Sequence, residues 1–153
     1  MDRQNLDYYL NRLDGAISGI ARKMAFRHGP GFGKGLTGQQ FFALRVLGKR
    51  GACQVSELAE SLGVSLSATT GIVDRLYRSK LVTRERDEND RRVVWVKSTE
   101  AGDRLLKEVE ACRREKMSQT LGRLDEDDLV KLVEVMEKVL RLIESDATTT
   151  API

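Results

Sequence analysis

A chain of 153 residues has the size of one domain and can bury roughly 70% of its unfolded surface without disulfide or metal staples. Charged residues at 32%, hydrophobic residues at 41% and only two prolines exclude a disordered, collagenous or membrane-spanning chain; the start Met1-Asp2-Arg3-Gln4-Asn5 is no signal peptide, so a cytoplasmic protein is expected. The net charge of +3 is uneven, with nine Lys/Arg against three Asp/Glu in residues 1–50, eight against five in 64–97 and four against eight in 119–153. That split suits a face that meets a polyanion, and equally well an ordinary set of solvated helices.

Leu6, Tyr9, Leu10, Leu13, Ile17, Ile20 and Met24 recur at three and four, which predicts an amphipathic helix over residues 4–27. Gly29 to Gly35 holds four glycines and a proline and reads as a loop. It is no phosphate loop: the glycine required five positions before Gly33 is His28, and Gly35 stands where a magnesium-binding Ser/Thr belongs. Thr37 and Gln40 form a capping box for a second helix with Phe41, Leu44 and Leu47 on one face, stopped by Gly48 and Gly51. Ser56 is expected to cap a short third helix with Leu58, Ala59 and Leu62. After Gly63-Val64-Ser65 a fourth helix, Leu66 to Ser79, buries Ile72, Val73 and Leu76. Two short helices across a tight turn suit a helix-turn-helix, with an ordinary helical hairpin as the plain alternative.

Leu81–Arg86 and Arg92–Lys97 are strand-like runs separated by Asp87-Glu88-Asn89-Asp90-Arg91, a hairpin with a charged tip. A hairpin directly after a recognition helix is the wing of a winged helix. Thr99 then caps a long helix to about Gly122, with Leu105, Leu106, Val109 and Met117 spaced for burial. Asp125 and Asp128 open a last helix with Leu129, Leu132, Val133, Met136, Leu140 and Ile143 on its apolar face, and residues 146–153 read as a disordered tail. Cys53 and Cys112 form no CxxC and His28 is the only histidine, so no metal site, cofactor or catalytic grouping is expected, and the chain is not read as an enzyme.

Three motifs carry a resemblance: Val55-Ser-Glu-Leu-Ala-Glu-Ser-Leu-Gly63; Val73-Asp-Arg-Leu76 followed by Leu81-Val-Thr-Arg84; and Asp90-Arg-Arg92 running through Ser98-Thr-Glu-Ala-Gly102. In order and spacing the chain resembles the MarR family of bacterial transcription regulators. The resemblance implies a mainly α fold with a small β-wing, divided into an N-terminal dimerisation helix and loop (1–35), a winged helix-turn-helix (36–98), C-terminal dimerisation helices (99–145) and the tail. It implies a homodimer on a pseudo-palindromic double-stranded DNA operator, most often as a repressor released by a small, for instance aromatic, effector. Its major-groove residues map to Ser65, which is also read as the cap of the fourth helix, and to Ser67, Ala68, Thr69 and Thr70, with Arg75 further along facing either DNA or an acidic neighbour. At the tip, Arg92 maps to the minor-groove arginine, Asp90 to the carboxylate that holds it, and Arg91 stands beside them.

The family's peroxide-sensing branch carries a cysteine in the first helix, and residues 4–27 contain none, so a thiol-switched regulator is the lesser alternative. No motif defines the effector pocket, and its residues stay unassigned. A winged helix used as a protein-interaction module is the rival from another class; it would more often show an exposed apolar patch where this chain has small polar residues.

Overall fold

The computed structural model describes residues 2–28, 35–87, 90 and 93–149, with side chains described as far as Lys23 in the first helix and Ser145 in the last. Six helices and three short strands follow one another: α1 (Arg3–His28), α2 (Gly38–Arg50), β1 (Cys53–Gln54), α3 (Val55–Leu62), α4 (Leu66–Arg78), β2 (Val82–Arg86), β3 (Val94–Ser98), α5 (Glu100–Leu121) and α6 (Glu126–Thr149). The chain divides into two compact units, one up to Cys112 and one from Arg113.

In the first unit, the apolar faces of α2, α3 and α4 meet the sheet and the first half of α5. Phe41, Leu44, Leu47, Leu58, Ile72, Val73, Leu76, Val82, Val96 and Val109 are almost fully buried and form one cluster. The predicted capping box is present: the Gln40 backbone N–H donates to Thr37 Oγ1 and the Thr37 N–H to Gln40 Oε1. Between α3 and α4 the chain must reverse within three residues, and Gly63 does so at φ 63°, in the left-handed region that glycine enters without strain. Its N–H bonds the Glu60 carbonyl and the Val64 N–H bonds that of Ala59, closing the helix end.

The sheet is antiparallel in the order β1-β3-β2, with Cys53 opposite Val96 and Arg84 opposite the same valine from the other side. β1 was not expected, because a strand of two residues has no alternation to read. Ser56 is not the cap of α3. Gln54 holds that position, its N–H donating to Glu57 Oε2 at 2.8 Å, while Ser56 lies inside the helix. The fourth helix stops one residue early, at Arg78, with Ser79 as its C-cap.

Thr99 caps α5 as expected, its Oγ1 accepting the Gly102 N–H at 3.1 Å, and the same hydroxyl donates to the Lys80 carbonyl. In the second unit, Asp125 Oδ1 accepts the Asp128 N–H at 2.8 Å and starts α6. The expected tail is shorter: α6 continues through Thr149, since residues 146–149 contain nothing that breaks a helix, and residues 150–153 lie outside the described ones.

Met117, expected to be buried, is 45% exposed. The apolar stripes of the end helices are exposed too, from Leu13 and Ile17 on α1 to Met136, Leu140 and Ile143 on α6. No described side chain of α6 is buried within the single chain. Periodicity says which face of a helix is apolar, and it does not say whether the same chain covers that face.

Candidate nucleic-acid interface

The first two turns of α4 carry the polar row. Ser65 sits at the N-cap in extended conformation, and its Oγ accepts the Ala68 N–H at 3.2 Å. Ser65, Ser67, Ala68 and Thr70 are exposed, as the sequence reading expects of DNA-facing residues. Thr70 Oγ1 donates to the Leu66 carbonyl at 2.9 Å, which leaves its lone pairs to accept a hydrogen bond from outside. Replacing Ser65 by Ala is expected to lower stability by about 1 kcal/mol through loss of the cap. Urea denaturation measures it, and an unchanged midpoint would show the cap to be idle.

Thr69 departs from the expectation. Its side chain is fully buried and its hydroxyl donates to the Ser65 carbonyl at 3.0 Å. At 3.6 residues per turn, position 69 shares its face with Ile72, Val73 and Leu76, so it cannot also face a groove. Leu66, missed in the sequence, is 56% exposed in the first turn of the same helix. An apolar residue standing outward beside a serine and a threonine is the signal that could have found it, since a thymine methyl is a suitable contact.

Arg75 is exposed, and one of its guanidinium nitrogens lies 3.7 Å from where a Cβ on Gly71 would sit. The side chain therefore runs back along α4 over the glycine, toward the polar half. The acidic residue beside it, Asp74, is paired with Arg84 of β2 instead. Arg84 also lies over the Tyr77 ring, 5.2 Å from its centroid, which ties the wing root to the last turns of α4. The Arg84 Nε is buried without a hydrogen-bond partner. Arg84 lines one side of a cavity of about 360 Å³, with Gln54, Ser56, Leu66, Thr70 and Val94 around it.

At the wing, the organising carboxylate is Asp87. Its Oδ1 accepts the Asp90 N–H at 3.1 Å and its Oδ2 accepts the Trp95 indole N–H at 3.0 Å. The backbone closes the same turn, the Asp87 N–H donating to the Val93 carbonyl and the Val93 N–H to that of Asp90. Asp90 is exposed; Arg91 and Arg92 lie outside the described residues. An aspartate three positions before another in a turn is the sequence signal for such side-chain to backbone bonding.

Cys53 lies behind this surface, buried in the core. Burial foremost, with Glu57 adding and Arg50 opposing, raises its thiol above the ordinary range and holds it in the unreactive protonated form. Cys112, on α5, is partly buried.

A helix-turn-helix with the polar half of its second helix turned outward, followed at once by a β-hairpin, defines a winged-helix DNA-binding protein. Residues 36–94 match the sequence profile of the MarR family. The HTH-type transcriptional repressor MdtR of Bacillus subtilis (strain 168) is 35% identical over 113 residues, 74% of this chain and 73% of that protein. The crystal structure of the YusO protein of Bacillus subtilis superposes with a TM-score of 0.71 at 28% identity, covering 92% of this chain and 99% of that one. BpsR of Bordetella bronchiseptica, in a structure concerned with regulation of its DNA binding by 6-hydroxynicotinic acid, gives 0.64 at 25% identity, over 88% of this chain and 98% of that one. The chain belongs to the MarR family and is a DNA-binding transcription regulator.

Proposed function

We propose that the protein acts in the cytoplasm as a homodimeric repressor of a pseudo-palindromic operator, released by a small aromatic effector, with no catalytic activity of its own. The observation that carries the operator reading is the outward row Ser65, Ser67, Ala68 and Thr70 on α4 beside the wing. Short side chains let a helix backbone approach the groove floor, where hydroxyls meet base edges and phosphates and alanine meets thymine methyls. Arg75 joins them from the third turn. Asp90, Arg91 and Arg92 supply the tip, Arg92 entering the narrow minor groove where negative potential is concentrated.

Residues 36–98 form the DNA-binding part in this reading, with dimerisation left to 1–35 and 99–145. The exposed apolar stripes of α1 and α6 support it, because such stripes on a soluble protein ask for a partner. Two winged domains then engage successive major grooves roughly 34 Å or a multiple apart. The effector class rests on BpsR, whose DNA binding is the one linked to 6-hydroxynicotinic acid. A ligand favouring a half-site spacing unsuited to DNA by a few kcal/mol would release the protein. The raised Cys53 thiol and the absence of cysteine from α1 weigh against a thiol switch. Among the described residues no helix is long and apolar enough to cross a membrane.

Anisotropy titration with the DNA upstream of the protein's own gene, at several salt concentrations, tests the reading. Wild type is expected to bind in the nanomolar range and to protect about 16 to 20 base pairs. Arg92→Ala is expected to lose about 1 to 3 kcal/mol and to flatten the slope of log K against log salt by about one unit, with Asp90→Ala doing less harm. An unchanged slope in Arg92→Ala would remove that arginine from the interface.

A further inference from the structure

We propose that Asp87 is the positioning residue of the wing, tying the Asp90 backbone to Trp95 of β3 so that the DNA-facing end of the hairpin is anchored to the sheet. This rests on the reading that the wing tip enters DNA, and goes beyond it by assigning the geometry of the tip to a residue outside the Asp90-Arg91-Arg92 motif. The two carboxylate oxygens of Asp87 serve different partners. Oδ1 takes the Asp90 backbone N–H at 3.1 Å, in the tip, and Oδ2 takes the indole N–H of Trp95 at 3.0 Å. Trp95 sits in β3, the middle strand of the sheet, opposite Gln54 of β1 and Glu85 of β2. The carboxylate thus bridges the turn to the most firmly held strand available. Asp87 and Trp95 are both half-buried, so the bridge is partly shielded from competing water.

The arrangement has a physical purpose. Residues 87–92 carry three acidic side chains against two arginines, so net charge alone does not draw this loop to DNA and the arginines must be presented in a set place. Fixing the loop beforehand removes the ordering cost from the binding step, which strengthens the specific complex in particular. The chain's only tryptophan is part of the bridge, so its fluorescence reports whether the bridge is closed.

Two variants break the bridge from opposite sides. Asp87→Asn keeps the size of the side chain, but an amide presents one oxygen and one NH2 where two N–H donors need acceptors. Trp95→Phe keeps an aromatic ring and removes the indole donor together with its five-membered ring, without altering any charge. Each is tested as the full-length protein on a labelled duplex enriched from random DNA by the wild type, with a scrambled duplex beside it and Arg92→Ala in parallel.

The expected result is a loss of about 3- to 10-fold in affinity for the enriched duplex in both variants, with no comparable loss on the scrambled one. The double variant should be little worse than either single one, because one bridge is lost in all three. Acrylamide quenching of Trp95 in free Asp87→Asn should exceed that in wild type. The sign of the Asp87→Asn effect is decisive: removing a negative charge near DNA tightens binding through charge alone, whereas loss of positioning weakens it. Unchanged or tighter specific binding by Asp87→Asn, while Arg92→Ala binds poorly, overturns the proposal and leaves the wing reading intact. If Arg92→Ala also binds like wild type, the wing does not enter DNA and both ideas fall. Should Asp87→Asn fold poorly, the charge-neutral Trp95→Phe decides by the same ratio of enriched to scrambled binding.

Discussion

Alanine at position 102 is expected to destabilise the winged domain by about 2 to 4 kcal/mol, although alanine is the better helix former. A Cβ at Gly102 would lie 2.2 Å from the Leu81 carbonyl oxygen, 2.7 Å from Ser98 Oγ and 3.2 Å from the Leu81 carbonyl carbon. The serine can rotate away; the Leu81 backbone cannot. Its carbonyl accepts the Thr99 N–H at 3.0 Å, and the Lys80 carbonyl next to it accepts the Thr99 hydroxyl at 2.9 Å. The start of α5 is therefore tied to the turn between α4 and β2. To make room, α5 must withdraw, and with it go the bonds that hold the recognition helix and the wing root in one body. Losing these two bonds costs about 1 kcal/mol each and the forced displacement of packing about 1 to 3 kcal/mol, against roughly 1 kcal/mol of helix propensity gained. Urea denaturation of Gly102→Ala and wild type at equal protein concentration measures the difference, and an unchanged or higher midpoint would refute the close approach.

The second large effect is expected on α6. Leu140→Glu should dissociate the dimer and lower operator affinity at least about 100-fold, since linking two half-site contacts is worth roughly 10² to 10⁴ over one. Leu140 is 55% exposed in the single chain, on a helix where Val133, Met136 and Ile143 are exposed as well. If this stripe forms the dimer seam, the new carboxylate is taken out of water among apolar side chains such as Met136 and Ile143, at a cost of several kcal/mol. Leu140→Met, which conserves volume and polarity, should keep both the dimer and DNA binding. Sedimentation at micromolar concentration and footprinting read the two outcomes. A Leu140→Glu protein that stays dimeric would show that this part of α6 lies outside the interface.

Both expectations draw on the same sequence, yet they were not equally visible in it. The apolar stripe of α6 is a local pattern, spaced at three and four, and any reader of the chain finds it. Gly102 looks like an ordinary residue of a Thr-x-x-Gly start; only the approach of the Leu81 carbonyl explains why no side chain fits there.

The same division runs through the rest of the molecule. By itself the sequence determined the helices α1 to α6, the caps Thr37, Ser65, Thr99 and Asp125, the reversal at Gly63 and the wing hairpin. Each of these depends on a backbone preference or on a periodicity within a few residues. The motifs were also enough to place the chain in its family. Tertiary structure decided that Thr69 turns inward while Leu66 turns outward, a matter of a fraction of a helical turn relative to a core built by distant segments. It decided that Gln54 and not Ser56 caps α3, because the residues before that helix are held in a strand against Val96 and Trp95. It paired Asp74 with Arg84 and Asp87 with Trp95, partners on different elements with no fixed spacing between them. Local preferences are written residue by residue. Contacts across the fold exist only after the chain has closed, so which carboxylate meets which donor is settled by packing and not by pattern.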